Sequence, residues 1–303
     1  MFKSLLDIQN LSVDEIRLIM TKAEEMKKDI DGDTLDVAAL RGKNIVTLFY
    51  ENSTRTRTSF ENAGKFLGAN VTNISIANSS VQKGESLIDT GKTLDALSTH
   101  LIVIRHSASG AAKLLSDNVE AKVINAGDGM HEHPTQALLD MFTVLLHYRK
   151  FEGLKIAIFG DIKHSRVARS NIWGFSKMGA EVTVYGPSTL LPDGIDKMPC
   201  KVARSVQDAM KGADAVMGLR IQLERQQKGL FPSISEYKKY FAVTDAAIKS
   251  AKPNAIVMHP GPVNRNVEMT SDIIDGARSV INEQVSNGQA VRMALLKMML
   301  AGA

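Results

Sequence analysis

Several short segments of the chain combine hydroxyls, cations, imidazoles and amides at spacings suited to anionic substrates. The first is Ser53-Thr54-Arg55-Thr56-Arg57. At the start of a helix, such hydroxyls and guanidinium groups could cradle a phosphate, because first-turn N–H groups are unpaired and lie at the positive end of the helix dipole. An ordinary Ser or Thr N-cap beside a solvated arginine would leave the same trace. No GxxxxGK occurs, so this is not a Walker loop. Ser79-Ser80-Val81-Gln82-Lys83-Gly84-Glu85-Ser86 is polar and carries one lysine. It reads either as a solvent loop or as a lid whose cation reaches an anion. Arg105 directly follows the apolar run Leu101–Ile104. It is either a surface charge or a strand-end guanidinium pointing into a crevice.

His131-Glu132-His133-Pro134-Thr135-Gln136 precedes a long apolar helix. A zinc site would need a further ligand beyond this His-x-His pair, and spacing identifies none, so no metal is expected. Pro134 suits a first helical turn, which leaves His133 and Gln136 about one turn apart. A neutral imidazole and an amide could there polarise a carbonyl and hold an NH2 group. Asp161–Arg169 opens like a nucleotide-binding turn but lacks G-x-G-x-x-G, so no dinucleotide is expected. Arg166 falls in the first turn of a helix, where its charge opposes the dipole, which suggests another duty. Arg220 and Gln222 project together if their segment is extended. Arg166 with Arg220 would suit a dicarboxylate, each guanidinium gripping one carboxylate. His259-Pro260-Gly261-Pro262 is either a plain tight turn or a rigid loop whose carbonyls accept from an amide or amine.

These segments need elements to position them, and the hydrophobic pattern supplies them. A helix is expected over about Asp14–Lys28, with Ser12 as N-cap. Strands are expected at Asn44–Tyr50, Val71–Ile76, Leu101–Ile104 and Val123–Ile124, with helices at Thr54–Leu67, Glu85–Ser98, Ala111–Leu115 and Pro134–Tyr148. The alternation restarts after the polar break Phe151-Glu152-Gly153. Strands Leu154–Phe159, Glu181–Tyr185, Ala215–Leu219 and Ala255–Met258 alternate with helices Arg166–Met178, Val206–Lys211 and Ser235–Ser250. This is an α/β pattern of two doubly wound parallel-sheet domains. The expected domains are residues 1–149 and 150–283, with a last helix, 284–303, packing back on the first. In such sheets ligands bind beyond the carboxyl ends of the strands, which is where Ser53–Thr56, Arg105, His131–Gln136, Asp161–Arg166, Arg220–Arg225 and His259–Pro262 fall.

Composition narrows the classes further. The net charge of +4, from 37 basic against 33 acidic residues, is spread along the 303-residue chain. No basic run or aromatic-basic stripe suits nucleic acid. No apolar stretch reaches the roughly 20 residues of a membrane span, and the N-terminus lacks a signal-peptide pattern. The single Cys200 cannot form an internal disulfide and reads as a surface or half-buried thiol, which fits a reducing cytoplasm.

Taken in order, these segments resemble the aspartate carbamoyltransferase family over essentially the whole chain. The signature F-x-E-x-S-T-R-T-R reads Phe49-Tyr50-Glu51-Asn52-Ser53-Thr54-Arg55-Thr56-Arg57. S-S-x-x-K-G-E-S matches Ser79–Ser86, H-P-T-Q matches His133–Gln136, R-x-Q-x-E-R matches Arg220–Arg225, and H-P-x-P matches His259–Pro262. The resemblance implies transfer of a carbamoyl group from carbamoyl phosphate to L-aspartate without a cofactor, an early step of pyrimidine biosynthesis. It puts Ser53, Thr54, Arg55, Thr56 and Arg105 on the phosphate. It puts Thr56, Arg105 and His133 on the carbonyl oxygen, and Gln136 with the carbonyls of Pro260 and Gly261 on the carbamoyl NH2. Arg166, Arg220, Gln222 and Lys83 would bind the aspartate carboxylates. Arg55, Thr56, Lys83, Arg105 and His133 would form the catalytic set. A homotrimer with shared sites is implied, Ser79 and Lys83 entering from a neighbouring subunit, and regulatory chains are left open. The sibling ornithine carbamoyltransferases share S-T-R-T-R and H-P-T-Q. They carry H-C-L-P and S-M-G where this chain has His259-Pro260-Gly261-Pro262 and Arg220-Ile221-Gln222. Arginines there would repel the ornithine cation and attract a second carboxylate.

Overall fold

The computed structural model describes residues 3–75, 84–221 and 233–301. They divide into two compact units, Met1–Leu139 with Ser286–Ala303, and Asp140–Val285. In chain order the first unit begins with β1 (Ser4–Leu5), α1 (Val13–Asp31), β2 (Asn44–Phe49), α2 (Thr54–Phe66) and β3 (Asn70–Ser75). It continues with α3 (Leu87–Ala96), β4 (Leu101–His106), α4 (Ala111–Ser116), β5 (Lys122–Asp128) and the first turns of α5 (Pro134–Tyr148). The second holds β6 (Lys155–Phe159), α6 (Arg166–Lys177), β7 (Glu181–Tyr185), β8 (Lys201–Val202), α7 (Val206–Met210) and β9 (Ala215–Gly218). It ends with α8 (Ile234–Phe241), α9 (Asp245–Ile248), β10 (Ile256–Met258), α10 (Ser271–Ile274) and the start of α11 (Ile281–Leu300). The cuts between the units fall inside α5 and α11.

Each unit is built on a five-stranded parallel sheet, ordered β1-β5-β4-β2-β3 in the first and β10-β9-β6-β7-β8 in the second. Parallel strands are covered on both faces, so their sequences run nearly unbroken in apolar residues. Leu101, Ile102, Val103 and Ile104 of β4, and Ile156, Ala157, Ile158 and Phe159 of β6, are accordingly buried. Val46, Leu48, Ile102, Ile104, Leu115 and Val123 share one core in the first unit. Phe159, Met210, Val216, Val243, Val257 and Met269 share one in the second. The strand order reverses between β2 and β4 in the first sheet and between β6 and β9 in the second. Those reversals are the places where loops diverge to opposite faces and leave a crevice.

The end of the chain packs on the first unit. Lys122 Nζ donates to the carbonyl of Met299, and Arg292 donates to Ser59 Oγ at 2.9 Å while lying over the Phe60 ring. No described helix is long and apolar enough to cross a membrane.

Two expectations change in the structure, and one strand is added to them. Arg105 lies within β4, paired opposite Phe49, and does not follow the strand. A polar side chain had marked the strand end, but the main chain stays paired through His106. The single helix expected over Ser235–Ser250 is two, α8 and α9. Ala242 is extended, Val243 is fully buried and bridges to Met269, and Thr244 caps α9 by accepting from the Ala247 N–H. Burial of a β-branched residue at an isolated bridge and a new N-cap together outweigh helical periodicity here. Two-residue β1 pairs with β5 across more than a hundred residues of sequence, a pairing no local pattern announces.

Candidate active site

The carboxyl end of β2 opens into Tyr50-Glu51-Asn52-Ser53 and then into α2. Ser53 is the extended N-cap, yet its side chain makes no capping bond, and the first turn of α2 holds no acidic residue. Two other long helices differ. Ser12 makes a full capping box with Glu15 on α1, and Ser165 accepts from the Ala168 N–H on α6. The α2 terminus therefore keeps its positive end uncompensated by a local carboxylate or hydroxyl, and it places Thr54 and Arg55 exposed and Thr56 buried.

Across the strand-order reversal, Arg105 meets this turn. Its carbonyl accepts from the Tyr50 N–H at 2.8 Å, and its Nε lies 3.2 Å from Glu51 Oε2, with both side chains mostly buried. Its Nη1 donates to the Ala126 carbonyl at 3.5 Å. Glu51 thus orients the Arg105 guanidinium. The motif contains that glutamate, but side-chain type alone does not reveal a carboxylate set to hold a cation in place.

The next strand along, β5, leads to His133 through a turn tied at nearly every residue. Asp128 is buried and accepts from the Asn125 amide at 2.7 Å, from the Gly110 N–H at 2.7 Å and from the Glu132 N–H at 3.3 Å. Burial works to raise the Asp128 pKa, but hydrogen bonds from His131, Asn125 and Gly110 outweigh it and hold the carboxyl below its ordinary range. His131 is pushed up by its bond to Asp128, against partial burial. Glu132, fully buried, accepts from the N–H groups of Ile8 and Gln9 at 2.8 and 3.3 Å. It therefore clamps the N-terminal segment, a duty nothing local in the sequence announces. His133 follows with its carbonyl accepting from the Gln136 N–H at 3.0 Å, so α5 begins on it, and both His133 and Gln136 are buried. The first unit thus brings Ser53–Thr56, Arg105, and His133 with Gln136 to the carboxyl ends of three neighbouring strands. Ser79 and Lys83 lie outside the described residues.

The second unit repeats the arrangement with different chemistry. After β6, Gly160 has φ +123°, and a Cβ on it would stand 2.5 Å from the Leu219 carbonyl oxygen, so only glycine lets β6 and β9 diverge this closely. Asp161, buried, accepts from His164 Nδ1 at 2.8 Å and from the His164 N–H at 3.1 Å, shaping the turn before Ser165 caps α6. Arg166 opens α6 with only 3% exposure. Its charge lies at the positive end of the α6 dipole, which it opposes. Arg220 leaves β9 two residues past Gly218, half-buried between the fully buried Leu219 and Ile221. The two arginines therefore follow the two strands that flank the reversal of this sheet. Gln222 lies outside the described residues. Beside β9, β10 ends in His259-Pro260-Gly261-Pro262, where Gly261 has φ +67° and Pro260 is half-buried. Tyr237 of α8 packs with Leu190 and Ile221, and burial pushes its hydroxyl pKa up. Cys200 is half-buried, with its thiol pushed up to about 11 by burial.

Residues 3–145 match the family model of the aspartate/ornithine carbamoyltransferase carbamoyl-P binding domain, and residues 152–299 match that of the Asp/Orn binding domain. The chain is 60% identical over 294 residues to the aspartate carbamoyltransferase catalytic subunit of Ruminiclostridium cellulolyticum, covering 97% of this chain and 94% of that one. It is 55% identical over 301 residues to the catalytic subunit from Moorella thermoacetica, covering 99% and 98%. Its structure is similar to that of aspartate transcarbamoylase from Trypanosoma cruzi in complex with carbamoyl phosphate, with a TM-score of 0.89, 29% identity, and 98% and 96% of the two chains covered. Ornithine carbamoyltransferase from Pyrococcus furiosus gives 0.88 at 27% identity, covering 99% and 97%. The backbone alone does not separate the two activities; the sequence relatives at 55–60% identity do.

Proposed function

The chain belongs to the aspartate/ornithine carbamoyltransferase family, and on that footing we propose that it is a transferase joining carbamoyl phosphate and L-aspartate to give N-carbamoyl-L-aspartate and phosphate. The observation that carries the choice of aspartate is the pair Arg166 and Arg220, placed after the two strands that flank the reversal of the second sheet. Two guanidinium groups suit a substrate with two carboxylates and disfavour ornithine, which brings a second cation. The relatives named aspartate carbamoyltransferase support the same reading.

The chemistry follows from what each group can donate or accept. The α2 terminus with Ser53, Thr54, Arg55 and Thr56, joined by Arg105, holds the phosphate of carbamoyl phosphate. Thr56, Arg105 and His133 donate to the carbamoyl oxygen, and Gln136 accepts from the carbamoyl NH2. The carbonyls of Pro260 and Gly261 are further acceptors for that NH2. Arg166, Arg220, Gln222 and Lys83 hold the aspartate carboxylates. The uncharged α-amine, whose pKa in water is about 8, attacks the carbamoyl carbon. An N–C bond forms and the carbonyl becomes a tetrahedral oxyanion, stabilised by the three donors. The C–O bond to phosphate then breaks, and the departing phosphate takes the amine proton. The side chains orient two mutually repelling anions and stabilise the oxyanion, with no covalent enzyme intermediate.

The product belongs to an early step of pyrimidine biosynthesis. A cytoplasmic homotrimer is the assembly we propose, with Ser79 and Lys83 completing a neighbour's site. Regulatory chains are compatible with the "catalytic subunit" names of the relatives. The test is the identity of the product when L-aspartate and L-ornithine are each offered with carbamoyl phosphate.

A further inference from the structure

The loop after β10 is held from inside the second unit by side chains that the chemistry above does not use. His259 is buried, and its Nδ1 lies 2.8 Å from the main-chain nitrogen of Gly261. A main-chain N–H can only donate, so Nδ1 carries a lone pair there. A proton on Nδ1 would set two donors against each other at that distance. The neutral ring must then bear its proton on Nε2, which faces Glu268 Oε1 at 3.2 Å, both side chains being 1% exposed or less. Glu268 is itself fixed to the same loop, since its Oε1 accepts from the Asn264 N–H at 2.7 Å.

The main chain on the other side of Pro260 is anchored as well. The His259 N–H donates to Gln284 Oε1 at 2.9 Å, and Gln284 Nε2 donates to Asp140 Oδ1 at 2.7 Å. Asp140 Oδ2 accepts from Asn171 of α6 at 2.8 Å, and Gln284, Asp140 and Asn171 are all buried. The peptide joining Pro260 to Gly261 is planar and trans, so the Pro260 carbonyl points opposite to the Gly261 N–H. Whatever holds that N–H aims that carbonyl.

We infer that His259 is a positioning residue, present as the Nε2–H tautomer with Glu268 beside Nε2, which aims the Pro260 carbonyl oxygen by accepting the Gly261 N–H. The inference rests on the carbamoyltransferase reading, in which that oxygen meets the carbamoyl NH2. Glu268, Gln284 and Asp140 act through it, fixing the ring and the main chain on either side. This resembles the outer partners of a metal-bound histidine, which set which ring nitrogen is available, here with a peptide N–H as the group received.

Two substitutions separate aiming from mere packing. His259→Asn supplies an oxygen that can accept the N–H two residues on, as in an Asx-turn. His259→Leu keeps bulk but has no acceptor, and both lose the contact with Glu268. In the full-length enzyme His259→Leu is expected to lower kcat by about tenfold to a hundredfold, the scale of a small misplacement of a reacting group. His259→Asn is expected to recover most of that loss, although both variants melt lower than wild type. Equal losses in both, or activities that simply follow Tm, would overturn the inference. The independent arm is the 15N spectrum of histidine-labelled wild type, with the His259 ring assigned by its absence in His259→Asn. A proton on Nε2 is expected, and a proton on Nδ1 would overturn the inference. A wild type that transfers no carbamoyl group would sink the functional reading instead, and the tautomer would still decide how the loop is held.

Discussion

Nδ1 of His131 lies 3.2 Å from each carboxylate oxygen of Asp128, at the base of the turn that delivers His133. Asp128 is held below its ordinary value of 3.8, its hydrogen bonds outweighing burial, and His131 is raised above 6.5, chiefly by its bond to Asp128. The lowered carboxyl contributes stability above its unfolded value, which is lost as acid carries the pH through the lower folded one. The raised imidazole contributes fully below its unfolded value, and that contribution is lost as the pH rises through the higher folded one. Both contributions are therefore present between roughly pH 4 and 6.5. The Tm gap between wild type and His131→Gln is expected to be wider at pH 5.5 than at pH 8.5. A gap that widens on the alkaline side would contradict the pairing.

His133→Ala removes one donor to the developing oxyanion. Turnover is expected to fall about a hundredfold to a thousandfold, while inhibition by inorganic phosphate changes by less than about fivefold, since the phosphate contacts remain. Initial rates and phosphate inhibition constants check this. Comparable losses in both would move His133 from the carbonyl oxygen to the phosphate.

Arg166→Lys and Arg220→Lys keep a charge but lose the planar fork that matches a carboxylate. Each is expected to raise KM for L-aspartate at least about tenfold, on the order of the 1.5–3 kcal/mol of a charged hydrogen bond. KM for carbamoyl phosphate should move little. An effect confined to carbamoyl phosphate would place these arginines in the wrong half of the chemistry.

Lys83→Gln and Arg55→Ala are each expected to abolish activity alone. If a site takes Arg55 from one subunit and Lys83 from its neighbour, every mixed ring of three subunits rebuilds about one site. Subunit exchange between the two inactive variants should therefore restore a measurable rate. No recovery, with mixed rings verified by native mass spectrometry, would count against shared sites.

Much of this was legible in the sequence, and the rest was hidden for physical reasons. Ser53–Arg57 stood out because an apolar strand followed by hydroxyls and guanidinium groups at a helix start is a local pattern with a local cause. Arg166 stood out because its charge opposes a dipole that its own neighbours create. Glu51, by contrast, gains its meaning only from Arg105, which a strand pairing between residues more than fifty apart brings beside it. His259 read only as part of a turn, and nothing local singles out Glu268 or Gln284; burial and proximity turn the three into one unit. The break between α8 and α9 was missed because Val243 answers to Met269 and the core, while the periodicity around it still reads as a single helix.

The central claim meets its most direct test in a steady-state assay of the purified protein with carbamoyl phosphate, offering L-aspartate and L-ornithine in parallel and identifying the products. N-carbamoyl-L-aspartate from aspartate, with no citrulline from ornithine, is the expected result. Citrulline in its place would contradict the reading of Arg166, Arg220 and the Pro260 loop while leaving the family intact.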